Sequence, residues 1–326
     1  MNERIPPSTI PPSTIPLSTI PPFDQAVEPD GYAWWYVDAI SSDGRYGLTV
    51  IAFIGSVFSP YYFWSRARGP ADPLAHCAIN VALYGPGGRW CMTERGLGNV
   101  ERDRDALQIG PSALRVAGDA LDIELSEWTA PLPRRVRGRI RVRPTVCNGR
   151  AIELDPDGRH RWTPVWPEAR VEVELDHPRL RWSGAGYLDH NTGREPLERC
   201  FDSWYWLRAE TGQGPVVLYD TRLRNHERRS LALHFDHDGT RHDLPPSTPV
   251  ELPRSRWRVD RPTRSENGEA RIEAVWEDTP FYTRSLVNAR LLGENVTAVH
   301  ESLDLRRFSN YWVQQMLPFR MPRRAT

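Results

Sequence analysis

Short runs of alternating or consecutive apolar residues dominate the chain from Tyr32 onward. Runs of this kind, bounded by turn residues, predict β-strands. The candidates lie at 46–58, 75–85, 120–128, 169–175, 201–210, 214–223 and 270–277. Pairs of residues that favour tight hairpin turns separate them: Asp43-Gly44, Asn148-Gly149, Asp157-Gly158, Asp238-Gly239 and Asn267-Gly268. Many short strands with regular turns predict an all-β protein.

One helix is predicted, close to the C-terminus. Apolar residues recur there every three to four positions, at Leu305, Phe308, Trp312 and Met316, and this spacing is typical of a helix. Pro318 would end it. Aromatic and basic residues follow at 317–323, so the helix either packs against the β-structure or lies on a membrane surface.

The strand pattern extends over enough residues for two all-β units. The chain has 326 residues, and short strands with frequent turns are typical of sandwiches or barrels. Prolines and glycines interrupt the runs at 178–200, so we predict one unit at 28–185 and a second at 186–326. Residues 1–27 begin with a five-residue repeat rich in Pro, Ser and Thr, which predicts a disordered tail.

Composition narrows the functional classes. Acidic and basic residues number 42 each, so the overall charge does not favour a nucleic acid as partner. The sequence contains no lysine, which excludes Schiff-base and P-loop lysine chemistry. Neither GxGxxG nor GxSxG occurs, and we expect no nucleotide cofactor. The 13 tryptophans either pack an aromatic core or line an apolar site.

A cluster of His and Asp residues is the tempting candidate for a metal site: His234, Asp236, His237, His242 and Asp243. A hairpin centred on Asp238-Gly239 would send His234 and Asp236 to one face of its strand and His237 to the other. Because such ligands would not converge, we expect no metal. The four cysteines form no CxxC pair, which argues against a zinc ribbon.

Two segments are candidates for contact with a membrane surface. The run at 135–143 alternates arginine with small or apolar residues, so one face is basic and either solvated or in contact with anionic headgroups. The C-terminal helix is the other candidate. No apolar stretch approaches the roughly 20 residues that cross a bilayer, and the N-terminus lacks the pattern of a signal peptide. We expect a peripheral membrane protein on the cytoplasmic side, of undetermined oligomeric state.

Two stretches combine titratable and aromatic side chains at the two-residue spacing of a strand face. In GRHRWTPVW (158–166), His160 and Trp162 share a face, and in RWSGAGYLDHN (181–191), Tyr187 and Asp189 do the same. If the two strands are neighbours, these four side chains meet in one pocket near the boundary between the units, where ligand sites are common. The alternative is a buried histidine and an aspartate in a turn, each satisfied by ordinary hydrogen bonds.

Four long segments are more specific than any short motif: DGYAWWYVDAISSDGRYGLTVIAFIGSVFSPYYFW (30–64), CAINVALYGPGGRWCMTERG (77–96), RWSGAGYLDHNTGREPLE (181–198) and LPFRMPR (317–323). They resemble the carotenoid 1,2-hydratases, also called hydroxyneurosporene synthases, over about residues 28 to 323. That resemblance implies two tandem lipocalin-like (calycin) antiparallel β-barrels or sandwiches with a C-terminal helix. The N-terminal repeat lies outside the match.

The resemblance also implies an activity. It is the cofactor-independent addition of water across the terminal double bond of an acyclic carotenoid, such as neurosporene or lycopene, to give a tertiary alcohol. The family's acid–base pair falls on Asp189 and His160, with Trp162 and Tyr187 as aromatic support. Three further tryptophans are candidates for the wall of the substrate pocket: Trp166, Trp204 and Trp206.

The chemistry is consistent with a buried acid. An isolated alkene is a weak base, so its hydration requires a strong, well-placed proton donor. We expect an apolar setting to keep Asp189 protonated, because burial raises a carboxyl pKa by up to roughly 3–5 units. His160 then tunes that proton or activates the water, and the two roles could be exchanged. The rival interpretations are a two-barrel cyclase that closes a polyene into a ring, and a non-catalytic carrier of an apolar ligand.

Overall fold

The computed structural model describes residues 20–324, and most of them lie in strands. The first twelve strands in chain order are β1 (Tyr32–Ser41), β2 (Gly47–Ile54), β3 (Cys77–Tyr84), β4 (Arg89–Arg95), β5 (Val100–Arg102), β6 (Ala106–Ile109), β7 (Ser112–Ala117), β8 (Ala120–Trp128), β9 (Arg135–Val146), β10 (Ile152–Glu153), β11 (His160–His177) and β12 (Leu180–Gly193).

The remaining strands are β13 (Phe201–Thr211), β14 (Gly214–Leu223), β15 (Arg228–Phe235), β16 (Arg241–Asp243), β17 (Thr248–Leu252), β18 (Arg261–Ser265), β19 (Ala270–Asp278), β20 (Tyr282–Leu291), β21 (Glu294–Asp304) and β22 (Arg323–Arg324). Four short α-helices accompany them: α1 (Pro60–Arg66), α2 (Leu197–Cys200), α3 (Leu305–Phe308) and α4 (Tyr311–Met316). Single 3₁₀ turns lie at Pro73–Ala75, Leu97–Asn99 and Leu317–Phe319.

The strands form two large sheets and one separate hairpin. The first sheet has thirteen strands in the order β22-β4-β3-β2-β1-β12-β11-β9-β8-β7-β6-β5, with β10 paired to β11. The second has seven, in the order β16-β15-β14-β13-β21-β20-β19, and β17 pairs with β18 in the hairpin. Pairing is antiparallel except between β22 and β4. The prediction of an all-β protein is therefore confirmed.

Asp238-Gly239, one of the predicted hairpin signals, joins two paired strands. Gly239 has a φ of 86°, in the left-handed region that glycine adopts at little cost. A Cβ at this position would lie 1.9 Å from the Cys147 carbonyl oxygen. Only glycine fits this turn, which joins β15 to β16.

The first sheet curls around a core of its own. One face of β1 supplies Ala33, Trp35, Val37 and Ala39 to this core, and the alternate residues face the other way. Trp166 and Leu188 belong to the same core. Alternation along β1, β11 and β12 thus divides their side chains between the interior of the first sheet and the space between the two sheets.

The N-terminal segment Ile20–Val27 belongs to that first core, which corrects the prediction of disorder for this part of residues 1–27. Phe23 is fully buried, and its ring lies 4.7 Å from that of Trp35. The Trp35 indole donates a hydrogen bond to the Pro21 carbonyl at 3.0 Å. Burial of Ile20 and Phe23 offsets the ordering of a proline-rich segment. The earlier part of the predicted tail, residues 1–19, lies outside the described residues.

A second core fills the space between the sheets. It receives Tyr32, Trp34 and Tyr36 from β1, and Trp204 and Trp206 from β13. The predicted boundary at 185/186 falls inside β12, which pairs with β1 from 184 to 193. The segment that passes from one sheet to the other is therefore 194–200.

The C-terminal segment does not form the single predicted helix. It forms α3 and α4, separated at Ser309 and Asn310. The Ser309 hydroxyl donates to the Leu305 carbonyl, and Asn310 has extended angles (φ −68°, ψ 134°) that begin a new helix. Leu305 and Phe308 are buried whereas Trp312 and Met316 are exposed, so the four periodic residues do not share one buried face. Sequence analysis also missed α1, which Ser59 caps through its hydroxyl.

The arginine-rich strand β9 lies among acidic neighbours. Arg139 and Arg141 form ion pairs with Asp122 at 2.8 and 3.1 Å, and Arg143 pairs with Glu172 at 3.2 Å. Neighbouring β8 and β11 supply these carboxylates. Three of the five arginines of β9 are therefore paired with carboxylates of their own sheet.

Candidate active site

Three adjacent strands of the first sheet present one polar and aromatic surface to the second sheet. In the ladder register Asp189 of β12 lies opposite Tyr36 of β1 on one side and Pro164 of β11 on the other. Two residues after Asp189 on β12, Asn191 lies between Trp34 of β1 and Trp162 of β11. The two-residue alternation predicted from the sequence produces this arrangement.

Asp189 is surrounded by hydrogen-bond donors. Its Oδ2 accepts from the Trp162 indole N–H at 2.8 Å and from the Tyr187 hydroxyl at 3.0 Å. Its Oδ1 contacts the Asn191 side-chain amide at 3.0 Å. An indole N–H only donates, whereas an amide can turn to offer its oxygen. Oδ1 is therefore the oxygen that can carry a proton, and Oδ2 is the one held as an acceptor.

Burial raises the pKa of Asp189 well above its usual value. The hydrogen bonds from Trp162 and Tyr187 oppose this effect, and the nearby carboxylates of Glu301 and Asp38 add to it. No cation pairs with Asp189 among residues 20–324, and desolvation disfavours the ionised form of an unpaired carboxyl. Burial thus favours the protonated form of Asp189, and its three donors are placed to stabilise the carboxylate form.

A buried ion-pair network lies beside Asp189. Arg284 of β20 contacts Asp38 at 2.8 Å and also bonds to Glu301. Arg208 of β13 contacts the other oxygen of Asp38 at 2.8 Å. Arg208 also pairs with Glu210 at 3.1 Å, so the two guanidinium groups have carboxylate partners without Asp189. It also joins the sheets, because Asp38 belongs to β1.

His160 occupies the other end of the same aromatic layer. Its Nδ1 forms a 2.9 Å hydrogen bond with the Tyr32 hydroxyl, and its ring packs edge-on against Phe201. Burial lowers the pKa of His160, and the carboxylates of Asp155 and Glu195 oppose the shift. Pro164, which pairs with Asp189, lies four residues from His160, or about 13 Å along an extended strand. The acid and the imidazole share one layer but not a direct bond.

Potential metal ligands occur beside His160. One ligand atom each from Asp155, His160 and Cys200 lie within 4.8 Å of one another. Both Asp155 oxygens accept backbone N–H groups, from Asp157, Arg159 and His160. This carboxylate therefore structures the loop before β11. In the hairpin of β15 and β16, His242 instead forms a 2.7 Å hydrogen bond with Asp236.

A cavity of about 280 Å³ opens between the two sheets. Its wall is mostly aromatic and apolar, including Trp34, Phe53, Phe58, Trp90, Trp204 and Phe281. Trp257 and Met316, which are 41% and 45% exposed, mark its outer end. Its inner end is polar and is lined by Tyr36, Tyr282, Glu277 and Glu301.

The cavity ends one aromatic layer short of Asp189. Tyr36 and Trp204 line the cavity, and the Tyr36 ring lies 6.2 Å from that of Tyr187. On the other side, Tyr219 lies between Trp204 and Trp162, at 6.3 and 5.0 Å from the two rings. The inner wall of the cavity is therefore also the outer wall of the group around Asp189.

The three tryptophans proposed from the sequence for the pocket wall have different positions. Trp204 lines the cavity, and Trp206 packs against Tyr36 and Tyr187 at 5.7 and 5.3 Å. Trp166 faces away, in the core inside the first sheet, because irregular pairing of β11 between Pro164 and Ala169 interrupts its alternation. The structure brings together Trp162, Tyr187 and Asp189, and leaves Trp166 outside the group.

Sequence analysis missed Tyr36, Asn191, Arg284 and Glu301. The signal for Asn191 was its position two residues after Asp189 on the same strand face. Arg284 and Glu301 lie on β20 and β21, whose sequences resemble ordinary amphipathic strands. Their role becomes visible only when the second sheet packs on the first.

The fold and the site define a class of protein: an all-β protein with a buried carboxyl of raised pKa next to an apolar, aromatic cavity. A family model described as "Carotenoid hydratase CrtC" matches residues 50–326. Two relatives are each named acyclic carotenoid 1,2-hydratase. The one from Thiocapsa roseopersicina is 55% identical over 92% of this chain and 75% of its own length. The one from Rubrivivax gelatinosus is 52% identical over 93% and 76%.

The chain belongs to the carotenoid hydratase family and is a hydratase, that is, a hydro-lyase. Among solved structures, an AttH protein from Nitrosomonas europaea is similar in fold, with a TM-score of 0.58, 16% identity and coverage of 83% of this chain and 91% of that one. This likeness supports the lipocalin-like fold. Within residues 20–324, none of the helices has the length and apolar character needed to cross a bilayer.

Proposed function

We propose that this protein adds water across the terminal C1–C2 double bond of an acyclic carotenoid such as neurosporene or lycopene, without a cofactor. The observation that carries the proposal is Asp189, a carboxyl with a raised pKa held by Trp162 and Tyr187 behind an apolar cavity. The names of the relatives supply the substrate class. A proton and a water molecule are the only reagents that hydration of an alkene requires.

Asp189 is the acid in this proposal. It transfers its proton to C2, the less substituted carbon, and the positive charge appears at the tertiary carbon C1. The three donors around the carboxyl stabilise the carboxylate that forms. The electron-rich faces of Trp162, Tyr187 and Trp206 stabilise the cation, and a desolvated cation–π contact contributes about 2 kcal/mol. Water then adds to C1 and gives the tertiary alcohol.

His160 has a supporting role. Its lowered pKa keeps the imidazole neutral near pH 7, so it is a much weaker proton donor than a protonated carboxyl. Through Tyr32 and Phe201 it fixes one end of the aromatic layer, and the Tyr32 ring stacks on that of Trp34 at 4.8 Å. Replacement by alanine would loosen this wall and lower the rate.

The substrate enters end-on. The cavity has room for one end of a long polyene, and the remainder of the chain extends through the mouth beside Trp257 and Met316. Because Tyr36 and Trp204 separate the cavity from Asp189, binding of the substrate end displaces the Trp204 ring. Moving the ring costs free energy, but before the substrate binds the same ring keeps water away from Asp189.

The mouth suggests how a lipid-soluble substrate is reached. Exposed apolar side chains surround it, which we call the aromatic rim: Trp257, Tyr311, Trp312, Met316 and Phe319. We infer that this rim inserts into a membrane surface and lets the carotenoid pass directly from lipid into the cavity. The arginine strand β9 is a weaker candidate, since three of its five arginines pair with carboxylates of the same sheet.

The activity is tested with purified protein and lycopene in H₂¹⁸O. We expect a product heavier than lycopene by one water, with its oxygen taken from the solvent. A product of unchanged mass but altered retention would establish the cyclase instead. Recovery of bound, unaltered lycopene would establish the carrier.

A further inference from the structure

Glu301 is the carboxylate that faces the inner end of the cavity from the second sheet. It belongs to β21 and lines the cavity, and its side chain retains 12% accessibility. Its Oε1 accepts from the Tyr36 hydroxyl at 2.8 Å and from Arg284. Tyr282 also hydrogen-bonds to this carboxylate. Because two carboxylate oxygens offer about four acceptor sites, one remains for a molecule in the cavity.

The charge of Glu301 is defined by its neighbours. Arg284 is fully buried and pairs with both Glu301 and Asp38. Arg208 pairs with Glu210 at 3.1 Å as well as with Asp38, so Arg284 is the cation that contacts Glu301 directly. Burial raises the pKa of Glu301, and the guanidinium of Arg284 opposes this shift by favouring the ionised carboxylate.

Asp189 lies on β12 of the first sheet and Glu301 on β21 of the facing sheet. Tyr36 connects them, because it is the cross-strand partner of Asp189 and donates to Glu301. Asp189 has no cation beside it among the described residues, whereas Glu301 contacts Arg284. This difference in environment favours the protonated form of Asp189 and the carboxylate form of Glu301, which is the arrangement an acid–base reaction requires.

We propose that Glu301 holds the attacking water and removes its proton as the C–O bond forms, an assignment that rests on the proposed hydration. Asp189 gives one proton to C2, the water oxygen bonds to C1, and one proton of that water passes to Glu301. Asp189 is then ionised and Glu301 neutral. Glu301 loses its proton to solvent and Asp189 regains one, so one water is consumed and both groups are restored.

Two other groups fit this role less well. His160 lies about 13 Å from the Asp189 position along the strand and is already bonded to Tyr32. Glu277 lines the same cavity, but its carboxylate accepts from Tyr84 at 2.7 Å. Glu301, by contrast, is one of the carboxylates close enough to raise the pKa of Asp189.

The test separates protonation from water addition. In D₂O, a cation that water fails to capture returns a proton from C2, and recovered lycopene then carries deuterium. Glu301→Gln keeps the shape of the side chain and the hydrogen bond from Tyr36. We expect its rate of hydration to fall at least about 100-fold, within the range of general-base catalysis, while deuterium uptake into lycopene persists and exceeds that of the wild type.

The control variants assign each outcome. Asp189→Asn should lose both hydration and deuterium uptake, and if it retained both, the proposed acid would be wrong whatever Glu301 does. Glu277→Gln should change the KM for lycopene and leave the ratio of deuterium uptake to hydration as in the wild type. The Glu301 proposal is overturned if Glu301→Gln hydrates lycopene at the wild-type rate, or if uptake and hydration fall in parallel in a folded protein.

A second variant covers a failure of Glu301→Gln to fold. Glu301→Asp retains a carboxylate that can pair with Arg284. Its side chain is shorter by one methylene, so the carboxylate lies farther from the water it would hold. We expect hydration to fall about tenfold or more with a higher ratio of uptake to hydration. An unchanged ratio in Glu301→Asp would overturn the proposal.

Discussion

Tyr36 lies directly opposite Asp189 across the β1–β12 ladder, and its hydroxyl donates to Glu301 on the facing sheet at 2.8 Å. One tyrosine thus forms the wall between the buried acid and the cavity and also orients the carboxylate at the inner end of that cavity. The site depends on both sheets. Neither the first sheet nor the second alone contains an acid, a base and an apolar chamber.

Asp189→Asn tests the acid. The amide has nearly the same shape and accepts the same hydrogen bonds from Trp162 and Tyr187, but it cannot supply the proton. General acid–base groups contribute about 10²- to 10⁴-fold, and we expect a loss at the upper end, measured as hydrated lycopene formed per minute. Asp202→Asn is the matched control, since Asp202 is also buried but pairs with Arg306 outside the site. Equal losses in the two variants would contradict the assignment.

The pH dependence follows from the raised pKa of Asp189. The protonated form is active, so kcat should be lost as the pH rises through that pKa. The folded state also holds this proton where the unfolded chain, with a pKa near 3.8, has released it. Stability therefore declines with rising pH across this window. In thermal melts, the Tm of Asp189→Asn should increase relative to that of the wild type as the pH rises. A difference in Tm that does not change with pH would argue against a raised pKa of Asp189.

Trp162→Phe should be less damaging than Asp189→Asn. The substitution removes the 2.8 Å hydrogen bond to Asp189 Oδ2. It also weakens the cation–π interaction with the carbocation, because a phenyl ring is less electron-rich than an indole. The proton donor stays in place. Hydrogen bonds to charged groups contribute about 1.5–3 kcal/mol, or roughly 10- to 150-fold in rate. Steady-state rates on lycopene measure this loss. A Trp162→Phe variant as inactive as Asp189→Asn would mean that the indole is essential in its own right.

Sequence patterns were informative where alternation alone decides the structure. The runs at 120–128 and 214–223 coincide with β8 and β14. Apolar and polar residues largely alternate in the first, and the second begins with consecutive apolar residues typical of a buried strand. The same two-residue spacing brought Trp162, Tyr187 and Asp189 into one group. Trp166 departs from the pattern, since irregular pairing in β11 turns its side chain into the other core.

Contacts between the two sheets could not be predicted from local sequence patterns. Arg284 and Glu301 read as ordinary members of amphipathic strands, and only the packing of β20 and β21 on β1 creates the network with Asp38. The separation of His160 from Asp189 is likewise a matter of register, which depends on how β11 and β12 pair. The same reasoning explains Phe23, whose burial depends on a core that the proline-rich repeat beside it does not reveal.

Phe23→Ala tests the packed part of the N-terminal segment. Phe23 is completely buried against Trp35, and truncation of a buried phenylalanine costs about 3–5 kcal/mol. We expect urea unfolding to show a loss of this size, with the activity per folded molecule retained because Phe23 lies in the core away from the cavity. Val27→Ala, at a half-buried position in the same segment, should cost much less. Unchanged stability in Phe23→Ala would mean that the segment does not pack in solution.

The aromatic rim predicts attachment to lipid. Trp312 and Phe319 are 44% and 71% exposed beside the cavity mouth, and aromatic side chains favour the interface of a bilayer. Replacing both with serine should reduce co-flotation with anionic liposomes and raise the KM for lycopene supplied in those liposomes. The rate on detergent-solubilised lycopene should change little, because the acid and the cavity remain intact. Leu132→Ser removes an apolar residue that is equally exposed, at 71%, but lies outside the rim. If Leu132→Ser lowered flotation as much as the double variant does, attachment would depend on general surface hydrophobicity rather than on the cavity mouth.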